Sequence, residues 1–385
     1  MYFKKMPRNL QNEIQKPKRR STMKALKDWF VPWLTTARKY DPSILDVAWA
    51  HPDHARLMLN ENPIPPSEKV VQAVANAVRM GNRYPDSMKR LRAKIGAHYD
   101  LGPDNVALCN GSSEVIDAMM RIFMQPGDEI IMSDPTFGLF PPRAELCGGK
   151  VVQVPVRESD LQYDVDGMLN AINEKTKLLL IINPNNPTGV FIDDADLERF
   201  CKTGIPLCID EAYKDYNPEI PSKASLIKEY PHVFLSVTFS KAHGFAGIRF
   251  GYVLGTEEMI KAFNTMFLPW NVSLMSMAAA EAILDNPAEI QAKVAHNNRW
   301  MKKFYEAAQG VGLKPYPAHG NYMLIDASMS GRTTAEILAA AIEMEKIYLK
   351  KIGKIHGKDG FFRVTPGLDE ENEKFLRFLH NYFGK

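Results

Sequence analysis

Cysteine is scarce: four residues, Cys109, Cys147, Cys201 and Cys208, are spread over 385 positions with no Cys-x-x-Cys pair. That spacing argues against a zinc ribbon or a disulfide framework, so no metal site is read here, and reduced thiols suit the cytoplasm. Long apolar runs are also lacking. Runs such as Leu178–Ile182 fall far short of the ~20 residues that a membrane helix needs. A surplus of one charge is missing as well, since 48 Lys plus Arg face 45 Asp plus Glu for a net +3; overall charge gives no reason to expect nucleic acid as a partner. What is present is a globular composition, 45% hydrophobic and 24% charged, in a chain long enough for two domains of ~100–200 residues each.

The one strong local bias is at the start. Residues 1–27 carry nine basic side chains against a single acid, Glu13, and include the pair Arg19-Arg20. Lys24, Lys27 and Asp28 stand where an export signal would need its apolar core, so the stretch is read as a solvated arm. Trp29, Phe30, Trp33 and Leu34 then recur at a spacing that predicts a short amphipathic helix before Asp41-Pro42. From Pro66 to Met80 the apolar positions follow a helical period, with Ser67 as N-cap and Tyr84-Pro85 as a stop.

Beyond that point short apolar runs alternate with polar turns and helices: Val106–Cys109, Glu129–Met132, Leu178–Ile182, Leu207–Ile209 and Val233–Val237. This is the pattern of an α/β sheet whose loops at the carboxyl ends of the strands carry the chemistry. From about Asn271 the character shifts to long helical stretches with short strands, which predicts a second, smaller α+β domain. The expected organisation is an arm and short helix over 1–40, a segment over 41–75 that joins the small domain, a large domain over 76–270 and a small domain over 271–385.

Three consecutive strand ends carry unusual residues. Asn183-Pro184-Asn185-Asn186-Pro187-Thr188-Gly189 follows the first and cannot extend it, because its prolines lack ladder donors. Asp210-Glu211-Ala212-Tyr213 ends the second and puts an acid where apolar sheet meets the loop face, a place that demands a cationic or hydrogen-bonding partner. Thr238-Phe239-Ser240-Lys241 ends the third, with Arg249 eight residues on. An amide turn, an acid, a tyrosine, hydroxyls around a lysine and an arginine together suit pyridoxal 5′-phosphate. A lysine amine forms an imine with its aldehyde, a carboxylate keeps its ring nitrogen protonated, and hydroxyls, helix N-terminal amides and an arginine hold its phosphate.

The sequence resembles the fold-type I aminotransferases, and among them is most similar to the histidinol-phosphate aminotransferases. The likeness runs from about Leu57 to the C-terminus through Leu59-Asn60-Glu61-Asn62-Pro63, Tyr84-Pro85-Asp86, Asn110-Gly111-Ser112-Ser113-Glu114 and Pro135-Thr136-Phe137. It continues through the three strand-end motifs, Gly320-Asn321-Tyr322 and Arg363-Val364-Thr365-Pro366-Gly367. The resemblance implies a large α/β/α domain with a mostly parallel sheet and a smaller α+β domain. It implies Lys241 as the imine-forming acid/base, Asp210 at the pyridine nitrogen, and Asn186 and Tyr213 at the ring hydroxyl. Phe137 would stack on the ring. Gly111, Ser112, Ser113, Thr238, Ser240 and Arg249 would cradle the phosphate, with Tyr84 reaching it from a second subunit of a homodimer that shares its active sites. Arg363 would clamp a substrate carboxylate, a task for which its fork is better shaped than an ammonium.

One departure concerns the substrate. Where these relatives usually place an arginine for a distal phosphate, this chain has Lys350 or Lys351, followed by a basic stretch to Lys358. The reaction expected is transfer of an amino group between an amino acid or amino-alcohol phosphate and a 2-oxo acid. The alternative on the same site is a decarboxylase or lyase acting on a phosphorylated or other anionic amino acid. A cofactor-sensing regulator would need a DNA-binding module, for which the residues before the body are too few.

Overall fold

The computed structural model describes residues 24–384, so most of the basic arm lies outside the described residues. Those up to Ala37 form one unit and those from Arg38 another. In the first, the helix expected around Trp29 and Trp33 is replaced by two 3-10 turns, Leu26–Trp29 and Pro32–Thr35, with no buried residue. Pro32 explains the break: it lacks an N–H, and it holds the preceding Val31 extended at ψ 139°.

In the second unit, β1 (Ala55–Arg56) is followed by the strands of a seven-stranded sheet: β2 (Val106–Cys109), β3 (Glu129–Asp134), β4 (Lys150–Pro155), β5 (Thr176–Ile182), β6 (Leu207–Asp210), β7 (Val233–Thr238) and β8 (Gly251–Leu254). Their order is β2-β8-β7-β6-β5-β3-β4. Every pairing is parallel except those of β8, which runs antiparallel to β2 and β7. The near-continuous apolar runs of β5 and β7 follow from burial on both faces. Leu178, Leu180 and Ile182 pack on one side with Val115, Met119 and Phe140, while Leu179 and Ile181 face the other core with Ile209 and Val237. Successive side chains alternate faces, so one apolar strand supplies both layers.

Five further strands close the chain: β9 (Lys314–Pro315), β10 (Met323–Asp326), β11 (Ile347–Tyr348), β12 (Lys350–Ile355) and β13 (Lys358–Val364). β12, β13, β10 and β9 form an antiparallel sheet in that order, and β1 pairs in parallel with β11. Leu57, Trp300, Phe304, Phe362, Phe375 and Phe378 build the core beneath it. The helix Leu274–Leu284 departs from the expected organisation, which gave everything after 270 to the small domain. Met277, Ala279, Ala280 and Ile283 share the core of the seven-stranded sheet with Val70 of the helix Glu68–Val78. Small alanines let the two helices approach closely, and packing groups both with the large sheet. Ser67 does precede Glu68–Val78, but its hydroxyl makes no capping bond.

Among the described residues no helix is long and apolar enough to cross a membrane. All four cysteines are free.

Candidate active site

The parallel strands β5, β6 and β7 end side by side, so the loops after Ile182, Asp210 and Thr238 meet at one edge of the sheet. There a cleft of about 340 Å³ is lined by Phe137, Asn186, Tyr213, Lys241, Lys350 and Arg363, together with Tyr40 and Asn60. Lys241 keeps part of its side chain open to this cleft, and its Nζ donates to the carbonyls of Asn60 at 3.1 Å and Leu59 at 3.3 Å. It stands 5.6 Å over the Tyr213 ring. Loss of water around the amine, reinforced by the charges of Arg363 and Arg249, lowers its pKa to about 8.

Asp210 is 4% exposed. Its Oδ1 accepts from the Ala212 N–H at 2.9 Å, and the Ser236 hydroxyl lies beside it and favours the charged form. Burial dominates and lifts its pKa to about 6, with the Ala212 N–H, the Ser236 hydroxyl and the Lys241 charge opposing. The Tyr213 hydroxyl accepts from Asn60 Nδ2 at 2.9 Å and from Asn186 Nδ2 at 3.1 Å. Burial pushes this phenol up to about 12. Asn186 in turn accepts from Arg363 through Oδ1, and Arg363 Nη2 donates to the Met58 carbonyl at 2.9 Å.

Arg363 is buried, its Nε has no partner, and among the described residues no carboxylate pairs with it. A buried guanidinium in that state calls for an anion. Arg249 forms a second such centre beyond the cleft lining. Its Nη1 donates to the Ser240 hydroxyl at 3.3 Å and to the Ala246 carbonyl at 3.0 Å, and Thr238 Oγ1 donates to Ser240 Oγ at 3.0 Å. Gly111, at φ +71°, leads into the helix Ser112–Phe123, and a Cβ built on it would strike the Arg249 guanidinium. Free N–H groups at that helix start and a guanidinium without a carboxylate make a cradle for a dianion.

A model of the class I and II aminotransferases matches residues 53–379. The chain belongs to that family. It is similar to histidinol-phosphate aminotransferase 1 of Idiomarina loihiensis, 35% identical over 86% of this chain and 89% of the relative. It is also similar to the histidinol-phosphate aminotransferase of Moorella thermoacetica, 33% identical over 85% of each. A histidinol-phosphate aminotransferase structure from Sinorhizobium meliloti in complex with pyridoxal 5′-phosphate has the same fold, with a TM-score of 0.82 over 94% of this chain and all of that one, at 22% identity.

This aminotransferase uses pyridoxal 5′-phosphate, and its residues fit that group. The buried Asp210 lacks a cation where the ring nitrogen needs an acid, Lys241 offers an amine of lowered basicity, and the Arg249 cradle lacks an anion. Of the residues singled out from sequence, Lys241, Tyr213, Asn186, Phe137, Lys350 and Arg363 meet in the cleft. Asp210, Thr238, Ser240, Arg249, Gly111, Ser112 and Ser113 adjoin it at the strand ends and the helix start. Tyr84 does not join them. It is exposed and stacks on Trp270, centroids 4.3 Å apart. Among the lining residues without a role read from sequence are Asn60 and Tyr40. Asn60 holds the Tyr213 hydroxyl from a positive φ of 54°, a position within the quoted Asn60-Glu61-Asn62 motif. Tyr40, edge-on to Phe137 at 6.5 Å, had been counted with the arm, and nothing in its local pattern tied it to strands so distant in sequence.

Proposed function

We propose that this aminotransferase acts on an anionic, histidinol-phosphate-like amino donor and a 2-oxo acid. The observation that carries this reading is the pairing of two cations on adjacent strands at the cleft: Lys350 on β12 lies directly across from Arg363 on β13. One fork and one point charge accommodate a carboxylate or phosphate monoester at the far end of the substrate. The curated relatives named above are histidinol-phosphate aminotransferases, which supports the same class.

When bound, pyridoxal 5′-phosphate supplies an aldehyde and an electron-withdrawing ring. Asp210 would hold the proton at the ring nitrogen, and Tyr213 with Asn186 would fix the ring hydroxyl. Phe137 would cover a ring face, and Arg249, Ser240, Thr238 and the Gly111-Ser112-Ser113 turn would hold the phosphate. Lys241, with its pKa near 8, takes and returns the proton at the substrate α-carbon, since an amine titrating close to neutral pH works in both directions. Arg363 would orient the phosphate of a histidinol-phosphate-like donor and, in the second half of the reaction, the carboxylate of the 2-oxo acid. A homodimer in the cytoplasm is part of the proposal, with Tyr84 of the partner subunit completing the phosphate cradle. The family favours amino transfer over decarboxylation.

The test mixes the cofactor-loaded enzyme singly with histidinol phosphate, glutamate, aromatic amino acids and phosphoserine, and follows the cofactor spectrum. Rapid conversion of the bound aldehyde to the amine form by histidinol phosphate is the expected result. Conversion by uncharged aromatic donors alone, or carbon dioxide release without the amine form, overturns it.

A further inference from the structure

Behind the lysine loop lies a cavity of about 650 Å³ that shares no lining residue with the cleft. One wall is aromatic. Phe239 and His243, two residues before and two after Lys241, stack with centroids 3.7 Å apart and planes at 6°. Tyr99 and Tyr252 extend this wall, their hydroxyls 2.7 Å apart. The facing wall comes from the helix Pro287–Gly310 through Ile290, Val294 and Ala295.

Two polar side chains, His243 and Asp215, meet in this largely apolar space. The His243 ring is buried, yet its Nδ1 has no hydrogen-bond partner. Asp215 Oδ2 is 3.6 Å away, too far to complete a bond. Burial holds the imidazole below its usual pKa, so at neutral pH it is uncharged and its nitrogen remains available to a third group. Lys94, His98 and Lys214 also line the cavity. Lys94 is taken by Asp285 at 2.7 Å, while His98, exposed, and Lys214, half-buried, have no acid partner among the described residues.

We propose that this cavity is a second ligand site, for a small aromatic acid whose ring carries a hydroxyl or N–H donor. The ring fills the space between the aromatic wall and the helix, the donor bridges Asp215 and His243 Nδ1, and the carboxylate faces Lys214 and His98. Such a pocket, apolar with a few convergent polar groups, has the general make-up of small-molecule sites. An occupant would also touch both sides of an existing tie. Lys293, beside Val294, is buried and donates to the His243 carbonyl at 3.0 Å and to Glu289 at 2.8 Å, which links the helix to the loop that carries Lys241.

The test is calorimetric titration of the cofactor-loaded enzyme with 4-hydroxyphenylacetate. Ala295→Trp places a bulky ring at the cavity lining from an exposed helical position, and Arg363→Gln removes the anion centre of the cleft. Wild-type binding that falls at least ~10-fold in Ala295→Trp and holds within about twofold in Arg363→Gln is the expected result. His243→Phe, which keeps the stack and removes the nitrogens, should weaken binding about fivefold on the same scale and covers the case in which Ala295→Trp does not fold. Binding that survives the cavity variants, binding that Arg363→Gln also loses, or no wild-type binding at about 10 mM overturns the proposal.

Discussion

Asp210 carries its charge at a cost that only a cation can offset, and the sign of that cost can be followed with pH. Its folded pKa of about 6 lies above the 3.8 of an unfolded aspartate. The carboxyl is protonated in both states at low pH, and between these two values the unfolded chain ionises first; stability contributed by this group is therefore lost as pH rises from about 4 to 6. Above that window the cost levels off at about 3 kcal/mol. In cofactor-free protein, Asp210→Asn should then raise the melting temperature by a few degrees at pH 8 and leave it unchanged at pH 4, because the amide oxygen still accepts the Ala212 N–H. The same variant should slow amino transfer ~100-fold or more, since it cannot hold a proton at the ring nitrogen. Equal melting of the two proteins at pH 8 would show that the carboxylate is already compensated. For Lys241 the shift runs the other way. With a folded pKa near 8 instead of the ordinary 10.5, the rate at which cofactor-free protein takes up the aldehyde should climb through pH 8 and flatten beyond it, and Lys241→Ala should abolish borohydride-trappable attachment without altering the circular dichroism. A rate still climbing at pH 10 would mean that the amine is not desolvated.

At the scale of elements, the approach of Gly111 to Arg249 is the tightest joint in the phosphate cradle. The backbone at φ +71° belongs to the left-handed region that glycine enters freely, and the missing side chain is where the guanidinium lies. Gly111→Ala should therefore weaken cofactor affinity about 10-fold or more, measured by fluorescence titration, with little effect on the KM for a donor once the cofactor is saturating. Much of this arrangement was legible in the chain. The β5, β6 and β7 runs and their terminal motifs announced both the sheet and the loops that bear the site, because buried parallel strands must be apolar and the residues that end them must not be. The two turns around Trp29 and Trp33 were misread because helical spacing was weighed above the veto of Pro32 on the residue before it. The helix Leu274–Leu284 was assigned to the wrong side of the fold because it is apolar nearly all round, and such a pattern marks burial without saying against what. Tyr40 and Asn60 reach the cleft only through contacts across distant chain segments, such as Asn60 to Thr365 at 3.1 Å, for which no local pattern exists.

The whole molecule poses the question that Tyr84 leaves open. It is 77% exposed, and it forms with Trp270, itself 59% exposed, an apolar pair on the surface. Single exposed aromatics are ordinary, but two stacked large rings beside the exposed Leu268 suit burial against a second copy of the chain. If Tyr84 of the partner subunit completes the cradle around Arg249, each active site draws on both chains, and the dependence can be tested by mixing. Lys241→Ala alone lacks the amine, and Tyr84→Ala alone lacks the reaching hydroxyl. Unfolded together in equal amounts and refolded, they form two-fold dimers at random, half of them mixed. In each mixed dimer one site receives both losses and the other receives neither, because its lysine comes from one chain and its tyrosine from the other. The refolded mixture should thus recover about a quarter of wild-type activity from two nearly inactive parents. If the tyrosine served its own chain, every site in the mixture would carry one lesion and activity would stay at the mean of the parents. Size-exclusion chromatography of wild type provides the companion measurement, a monomer at micromolar concentration being incompatible with any recovery at all.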